Sequence, residues 1–300
     1  MRQIAIFNNK GGAGKSTITV FLADFFSSLH FRSSRRPVRI LVVDADPQGS
    51  AAKALVGEEA VQDRVRSKRT LGPLLQRLLG AEEVDLSSYL LRRPEVETDT
   101  RKVKLAPVDV LASDQDTSDA LEEQGGQLVL SAAARKLPRL LEDHYDFVFV
   151  DLPANVKRRD HLPMSLLAGS EYVIVPTEPS YIAVSALPRT FEIVQDAAAR
   201  ASQNKGMRGP SPIAVLLNKT NKSFASYKNH IEEIRSAAGA AGTSVLQNVI
   251  PPASRFMSAT DSTLDFATLR DKFDTYYDHV RLVTRELLRR IEDAEGKGTS

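Results

Sequence analysis

A glycine-rich segment with two lysines lies close to the start of the chain. Residues 9–17 read Asn-Lys-Gly-Gly-Ala-Gly-Lys-Ser-Thr, one residue after the apolar run Ile4-Ala5-Ile6-Phe7. Glycines let the backbone curl so that its N–H groups point at phosphate oxygens. Lys15 can then reach the β- and γ-phosphates, and the Ser16 hydroxyl can bind Mg²⁺. The apolar segment from Ile18 to Leu29 predicts a helix whose N-terminal dipole faces the same phosphates. The pattern therefore predicts a nucleoside triphosphate site.

The loop departs from the general phosphate-loop pattern at two positions. Asn9 stands where that pattern has its first glycine, and a second lysine, Lys10, follows at once. One lysine is enough to hold a phosphate within the subunit, so Lys10 suggests a cation that is aimed elsewhere. Here the chain resembles the ParA/MinD family of deviant Walker A ATPases, whose loop reads Lys-Gly-Gly-x-Gly-Lys-Ser/Thr. The polar residue at Asn9 resembles the ParA branch.

The resemblance implies roles for the loop residues. In that family the extra lysine reaches across a sandwich dimer to the nucleotide of the partner, which makes Lys10 and Lys15 the expected catalytic lysines. The expected nucleotide-binding residues of the loop are Lys10, Gly11, Gly12, Ala13, Gly14, Lys15, Ser16 and Thr17.

Two acidic segments follow predicted strands. Asp44-Ala45-Asp46-Pro47-Gln48-Gly49 resembles the switch I segment of ParA proteins, and Phe147-Val148-Phe149-Val150-Asp151 fits a Walker B strand. Ligands of open parallel sheets bind beyond the carboxyl ends of the strands, so these acids should lie near the loop. The resemblance makes Asp46 the residue that positions the attacking water and acts on Mg²⁺, while Asp44 supports the metal shell. Asp151 would hold an Mg²⁺ water, so the expected metal residues are Ser16, Asp46 and Asp151.

The segment after the Walker B acid differs from the family pattern. ParA proteins usually continue Asp-x-Pro-Pro-Ser, whereas this chain has Asp151-Leu152-Pro153-Ala154-Asn155. The difference leaves the fold prediction intact and leaves the switch II geometry and the hydrolysis rate open.

The base specificity is argued from Asn218-Lys219-Thr220-Asn221. This segment superficially resembles the guanine motif Asn-Lys-x-Asp, but Asn221 lacks the carboxylate that would accept from two guanine donors. GTP is therefore disfavoured. The Asn218 amide can donate and accept, which suits adenine, and the family resemblance adds Pro251 to the adenine pocket. The alternative is that Asn218 simply caps a strand end.

Alternating strand and helix patterns must position these residues. Strands are predicted at 38–44, 147–151, 172–175, 213–217 and 245–250, and helices at 128–141, 182–199, 226–238 and 272–291. This alternation predicts an α/β fold: a mostly parallel twisted sheet with helices on both faces. We predict one P-loop ATPase domain over residues 1–293, a charged insertion at about 57–104 and a disordered tail at 294–300. The insertion is either a partner surface or a solvated excursion, and we expect the second.

Composition excludes several classes of protein. The 300 residues include no cysteine, which removes disulfides, thiolate metal sites and the iron–sulfur relatives of this fold. The net charge of +2 is too small to imply nucleic-acid binding by itself. We expect no signal peptide, no appended helix-turn-helix domain and no membrane span, because the first strand begins at once and no apolar run is long enough.

A DNA surface would have to come from a local basic cluster. The segment from Ile250 to Phe256 resembles the ParA segment Ile-Pro-Arg-x-x-Arg, with Pro252 in place of the first arginine and Arg255 in place of the second. Lys222 lies beside the preceding predicted helix and could extend the patch, although a solvated helix face explains it equally well. The basic run from Arg32 to Arg39 ranks second, because it leads into a strand start at the opposite end of the sheet.

The resemblance covers nearly the whole chain outside residues 57–104 and implies a ParA-type partition ATPase. Such proteins use ATP and Mg²⁺ to form a homodimer that binds double-stranded DNA without sequence specificity, and a ParB-type DNA-binding adaptor stimulates hydrolysis. The expected location is cytoplasmic and nucleoid-associated, with no membrane partner. A MinD-like membrane-positioning ATPase is the alternative within the fold, but the acids and glycines at 292–298 oppose binding to anionic lipid. An ATP-gated scaffold with little hydrolysis and a ligase on the same fold are further alternatives.

Overall fold

A computed structural model describes residues 1–29, 36–97, 104–154, 156, 162–203, 207–252, 259–261 and 266–296. Within these residues the strands are β1 (Arg2–Ile6), β2 (Ile40–Asp44), β3 (Leu91–Arg92), β4 (Val108–Ala112), β5 (Phe147–Asp151), β6 (Tyr172–Thr177) and β7 (Ser211–Leu217). They form one sheet in the order β3-β4-β2-β5-β1-β6-β7. Each neighbouring pair is parallel except β3 and β4, which are antiparallel.

Helices cover both faces of this sheet. They are α1 (Lys15–Phe26), α2 (Ser50–Val56), α3 (Glu58–Arg66), α4 (Leu71–Leu79), α5 (Gln115–Leu141), α6 (Leu162–Ala168), α7 (Tyr181–Ser202), α8 (Ala225–Ala240), α9 (Leu269–Phe273) and α10 (Tyr277–Ala294). One apolar core lies between the sheet and α4 to α8, and the other lies between the sheet and α1, α2, α9 and α10. The predicted α/β fold with a mostly parallel sheet is confirmed.

The strand predicted at 245–250 is wrong. This segment runs beside β7 but forms a single bridge, between Val245 and Val215. The backbone N–H groups of Gln247 and Asn248 instead donate to the Glu286 carboxylate at 2.8 and 3.0 Å. A side chain therefore takes the hydrogen bonds that a ladder would need, and the chain bends.

The helix predicted over 272–291 is broken. It divides into α9 and α10, separated by a short 3₁₀ turn at Asp274–Tyr276. Asp274 has a φ of 49°, a left-handed conformation that interrupts a right-handed helix. Further towards the C-terminus, Glu295 accepts a hydrogen bond of 2.7 Å from Arg2, so the start of the tail predicted at 294–300 is held against β1. Residues 297–300 lie outside the described part of the chain.

The segment predicted as an insertion contributes to the core. Leu71, Leu74 and Leu75 of α4 are fully buried against α5 and the sheet, so a solvated excursion is the wrong description of this helix. The same segment supplies the edge strand β3, which the sequence did not predict. Directly after β3, the buried Arg93 pairs with the buried Asp24 of α1.

Asp24 also pairs with Lys272 of α9 at 2.7 Å, so that one carboxylate joins three distant segments.

No helix among the described residues is long and apolar enough to cross a membrane.

Candidate nucleotide-binding site

The phosphate loop connects the central strand β1 to α1. Gly12 and Gly14 have φ values of 77° and 84°, a region that glycine enters without steric cost. A Cβ on Gly14 would lie 2.1 Å from Nδ2 of Asn218, so this position also needs glycine for lack of space. The loop therefore curls tightly and leads directly into the N-terminus of a buried helix, where backbone N–H groups can receive an anion.

Lys15 lies beneath the loop. Its Nζ donates to the carbonyl oxygens of Asn8 at 3.2 Å and Lys10 at 3.3 Å, and the residue is only 8% exposed. Burial lowers the pKa of Lys15, while the charges of Asp151 and Asp46 act in the opposite direction. The structure thus brings this lysine together with the two predicted carboxylates.

A network from another part of the chain holds the loop. The buried Asn8 donates from Nδ2 to the Pro176 carbonyl at 2.7 Å and accepts from the Lys10 backbone N–H at 2.9 Å. Thr190 of α7 contacts Asn8 Oδ1 at 3.2 Å and accepts from the Asn9 backbone N–H at 3.2 Å. Sequence reasoning missed Asn8 and Thr190, because no local pattern connects the loop to a helix so much later in the chain.

Two buried carboxylates lie side by side at the ends of adjacent strands. Asp44 and Asp151 are register partners in β2 and β5. Asp44 accepts from the backbone N–H of Ala52 at 2.7 Å and of Asp46 at 3.2 Å. Burial raises the pKa of Asp44 well above its ordinary value, and the charge of Asp151 adds to this. Asp44 therefore supports the turn between β2 and α2.

Asp151 has one free oxygen. Its Oδ1 accepts from Thr19 at 3.2 Å, whereas Oδ2 is buried with no hydrogen-bond partner among the described residues. Burial raises the pKa of Asp151, against the lowering effects of the Ser16 hydroxyl and the Lys15 ammonium. A divalent cation beside Ser16 would supply the missing partner, so the residues fit Mg²⁺. Sequence reasoning missed Thr19, which orients this carboxylate.

Asp46 begins the turn into α2 and is partly exposed. Its Oδ1 accepts from the Gln48 backbone N–H at 3.0 Å, and its carbonyl accepts from Gly49 at 2.8 Å. These bonds fix the turn between β2 and α2, and the charge of Asp46 acts on both Lys15 and Asp151. The switch I role of Asp46 stays a prediction.

The second lysine of the loop points away from Lys15. Lys10 Nζ forms an ion pair of 2.9 Å with Glu178, in the segment after β6. Burial acts to raise the pKa of Glu178, but the hydrogen bond and charge of Lys10 outweigh it, and the pKa lies below its ordinary value. A further lysine, Lys219, donates from Nζ to the Gly12 carbonyl at 2.9 Å. Neither Glu178 nor Lys219 was predicted from the sequence.

Asn218 ties β7 to the loop. Its Nδ2 donates to the Ala13 carbonyl at 3.0 Å, and its Oδ1 accepts from the Lys219 backbone N–H at 2.9 Å. One Nδ2 hydrogen and one Oδ1 lone pair remain for a base. Pro251 is partly exposed and follows Ile250, whose carbonyl accepts from Thr220 at 2.9 Å. The adenine role of Asn218 and Pro251 stays a prediction.

Of the two predicted DNA-binding residues, Lys222 lies in the described part of the chain. Lys222 is exposed and donates to the Gln247 carbonyl at 2.8 Å. Arg255 lies outside the described residues, as does Asn155 of the switch II segment. Of the alternative basic run, Arg36 and Arg39 both pair with Asp146 at the opposite end of the sheet.

The fold and the site together define a class of protein. Because a phosphate loop joins a central parallel strand to a helix and is backed by carboxylates on neighbouring strands, the chain is a P-loop nucleoside triphosphate-binding protein. The AAA_31 family model, described as an AAA domain, matches residues 1–207. The chain belongs to this family and to the ParA/MinD group of P-loop ATPases, which confirms the resemblance.

Similar proteins are found by sequence and by structure. The chromosome-partitioning ATPase Soj of Thermus thermophilus is 28% identical over 69% of this chain and 66% of its own length. The maintenance of carboxysome distribution protein A of Synechococcus elongatus is 26% identical over 86% of this chain and 89% of its own. The structure of pNOB8 ParA bound to nonspecific DNA superposes with a TM-score of 0.69 at 18% identity, covering 98% and 99% of the two chains. The structural match shows the fold.

Proposed function

We propose that this protein is a ParA-type partition or positioning ATPase that closes into a homodimer over ATP. The observation that carries the proposal is the different placement of the two lysines of the loop. Lys15 is buried beneath the loop, where it serves the phosphates of its own subunit. The side chain of Lys10 is 19% exposed at the mouth of the site, where a second subunit can reach it.

Residues of the loop and of the strands beside it each bind a different part of ATP. Lys15 and the backbone N–H groups at the start of α1 hold the phosphates by charge-assisted hydrogen bonds. Ser16 and Asp151 would hold Mg²⁺, with Asp46 acting through water. Mg²⁺ held there would supply the positive charge that neutralises the phosphate oxygens. Asp46, fixed by the switch I turn, orients the attacking water, and Asn218 and Pro251 contact the adenine.

The proposed DNA binding and cargo of this protein rest on its similarity to other proteins. Soj is named as a chromosome-partitioning ATPase, the Synechococcus protein is named for carboxysome distribution, and pNOB8 ParA has been solved on nonspecific DNA. We infer that the closed dimer of this protein binds double-stranded DNA through Arg255 and Lys222. A ParB-type adaptor stimulates hydrolysis, and the protein acts in the cytoplasm on the nucleoid.

The proposal is tested by comparing wild type with two variants of the loop. Light scattering gives the mass with ATP and Mg²⁺, a mobility-shift assay with duplexes of unrelated sequence gives DNA binding, and phosphate release gives hydrolysis. We expect an ATP-dependent dimer that binds every duplex alike. Lys15→Ala should lose ATP binding, whereas Lys10→Ala should bind ATP and stay monomeric. A Lys10→Ala protein that dimerises normally contradicts the cross-subunit role.

A further inference from the structure

The ion pair between Lys10 and Glu178 connects two segments that both border the phosphate site. The two atoms are 2.9 Å apart, and the side chains are 19% and 28% exposed. Both ends are fixed by their surroundings. The Lys10 backbone N–H donates to Asn8 at 2.9 Å, and the Lys10 carbonyl accepts from Lys15 at 3.3 Å, so the lysine is anchored to the loop while its side chain points at Glu178.

The carboxylate is held in place by the turn that begins α7. The backbone N–H of Ser180 donates to the Glu178 carbonyl at 2.8 Å, and the Ser180 hydroxyl lies 3.4 Å from Glu178 Oε1. The charge of Lys219 also reaches this carboxylate. Glu178 is therefore a negative charge that pairs with Lys10 from a hydrogen-bonded turn.

We propose that Glu178 is a positioning residue that holds Lys10 within its own subunit, and that closure of the dimer exchanges this carboxylate for the triphosphate of the partner subunit. The inference rests on the proposed role of Lys10 across the dimer. The Glu178 carboxylate and the partner's phosphate compete for the ammonium group of Lys10, because Lys10 cannot pair with Glu178 while it reaches across the dimer. The ion pair therefore opposes closure, and the triphosphate of the partner must replace it before the dimer can close.

The neighbouring surface supports an exchange at this position. Tyr181 and Ile182, the first residues of α7, are 76% and 67% exposed directly beyond Glu178. A second copy that approaches Lys10 would cover these apolar side chains at the moment the ion pair opens. Burial of apolar surface then contributes to closure together with the new contact to phosphate.

The test is Glu178→Gln, which keeps the shape of the side chain and removes its charge. A partly exposed ion pair contributes little to the free energy of dimer formation, but two such pairs are exchanged in each dimer. We expect the dimer dissociation constant in saturating ATP and Mg²⁺, measured by analytical ultracentrifugation, to fall by roughly two- to thirty-fold. The affinity of the monomer for a fluorescent ATP analogue should change much less, and Glu178→Asp should restore the wild-type dimer constant at least in part.

A matched control is Glu192→Gln, which removes an exposed ion pair with Arg189 on α7 that does not involve Lys10. This control should leave the dimer constant unchanged. The double variant Lys10→Ala/Glu178→Gln should behave like Lys10→Ala alone, since the carboxylate acts through the lysine. An unchanged or weaker dimer for Glu178→Gln, with Lys10→Ala monomeric, overturns this inference and leaves the proposed function standing. Normal dimerisation of Lys10→Ala overturns both.

Discussion

Gly14→Ala should damage the protein more than any conservative change in its neighbourhood. Gly14 has a φ of 84°, and a Cβ would lie 2.1 Å from Asn218 Nδ2. A non-glycine residue in such a conformation costs on the order of 1–3 kcal/mol. The Asn218 side chain must also move away, which loses its 3.0 Å hydrogen bond to Ala13 at a cost of about 1 kcal/mol. The free energy of unfolding should therefore fall by about 2–4 kcal/mol.

Urea unfolding followed by circular dichroism measures this loss, and titration with a fluorescent ATP analogue measures the accompanying loss of affinity. Displacing one loop N–H that donates to a phosphate should weaken binding about tenfold or more. Gly11→Ala is the control for stability, because Gly11 lacks a positive φ and a Cβ there would meet nothing within 4 Å. Its unfolding free energy should stay within about 0.5 kcal/mol of wild type.

A double-mutant cycle separates the clash from the strain. In an Asn218→Ala background the new methyl group meets no amide, so Gly14→Ala should cost about 1 kcal/mol less than it does in wild type. Equal costs in both backgrounds would refute the contact between the loop and Asn218. A Gly14→Ala protein with wild-type stability and ATP affinity would refute the loop geometry altogether.

Three further predictions concern catalysis, the core and DNA. Asp46→Ala should lower phosphate release by about 100-fold while ATP-dependent dimers persist, because orientation of water is lost and binding is not; wild-type turnover would argue against the switch I role. Burial acts to raise the pKa of Asp24, but Lys272 and Arg93 hold it below its ordinary value. The ion pairs of Asp24 with Lys272 and Arg93 therefore stabilise the folded protein above about pH 4. Their contribution is lost as the pH falls further. Asp24→Asn should therefore lower the unfolding free energy at pH 7 by about 3–5 kcal/mol and show a smaller further loss on acidification, measured by urea unfolding at several pH values. Arg255→Ala should weaken DNA binding equally on all sequences and reduce the salt slope by about two per dimer, and an unchanged slope would move the DNA surface elsewhere.

The parts of the site that the sequence predicted are those encoded by adjacent residues. A phosphate loop and an acid at a strand end have local patterns, and parallel strands place such ends on one edge of the sheet. Lys15, Asp46 and Asp151 were predicted in this way, and their roles stay predictions. The burial of α4 was not predicted, because the many charged residues around this helix obscure the pattern of the three leucines that face the core.

The missed contacts all depend on residues far apart in the chain. Thr190 supports the loop from α7, and Glu178 pairs with Lys10 from beyond β6. Asp24 meets its two cations only after three segments have packed together. No spacing rule connects such residues, since their approach is set by how helices lie on the finished sheet.

The two outer strands of the sheet bear on how copies of this protein can associate. On one side β4 is covered by β3, and β3 is only two residues long. On the other side the segment after α8 occupies the edge of β7, where Leu246 and Ile250 donate to strand carbonyls at 2.9 Å and Val215 donates to Ser244 at 3.1 Å. A short or occupied edge is a poor template for a strand from another chain. Growth by edge-to-edge strand pairing is thereby disfavoured, which agrees with the dimer contact proposed at the phosphate loop.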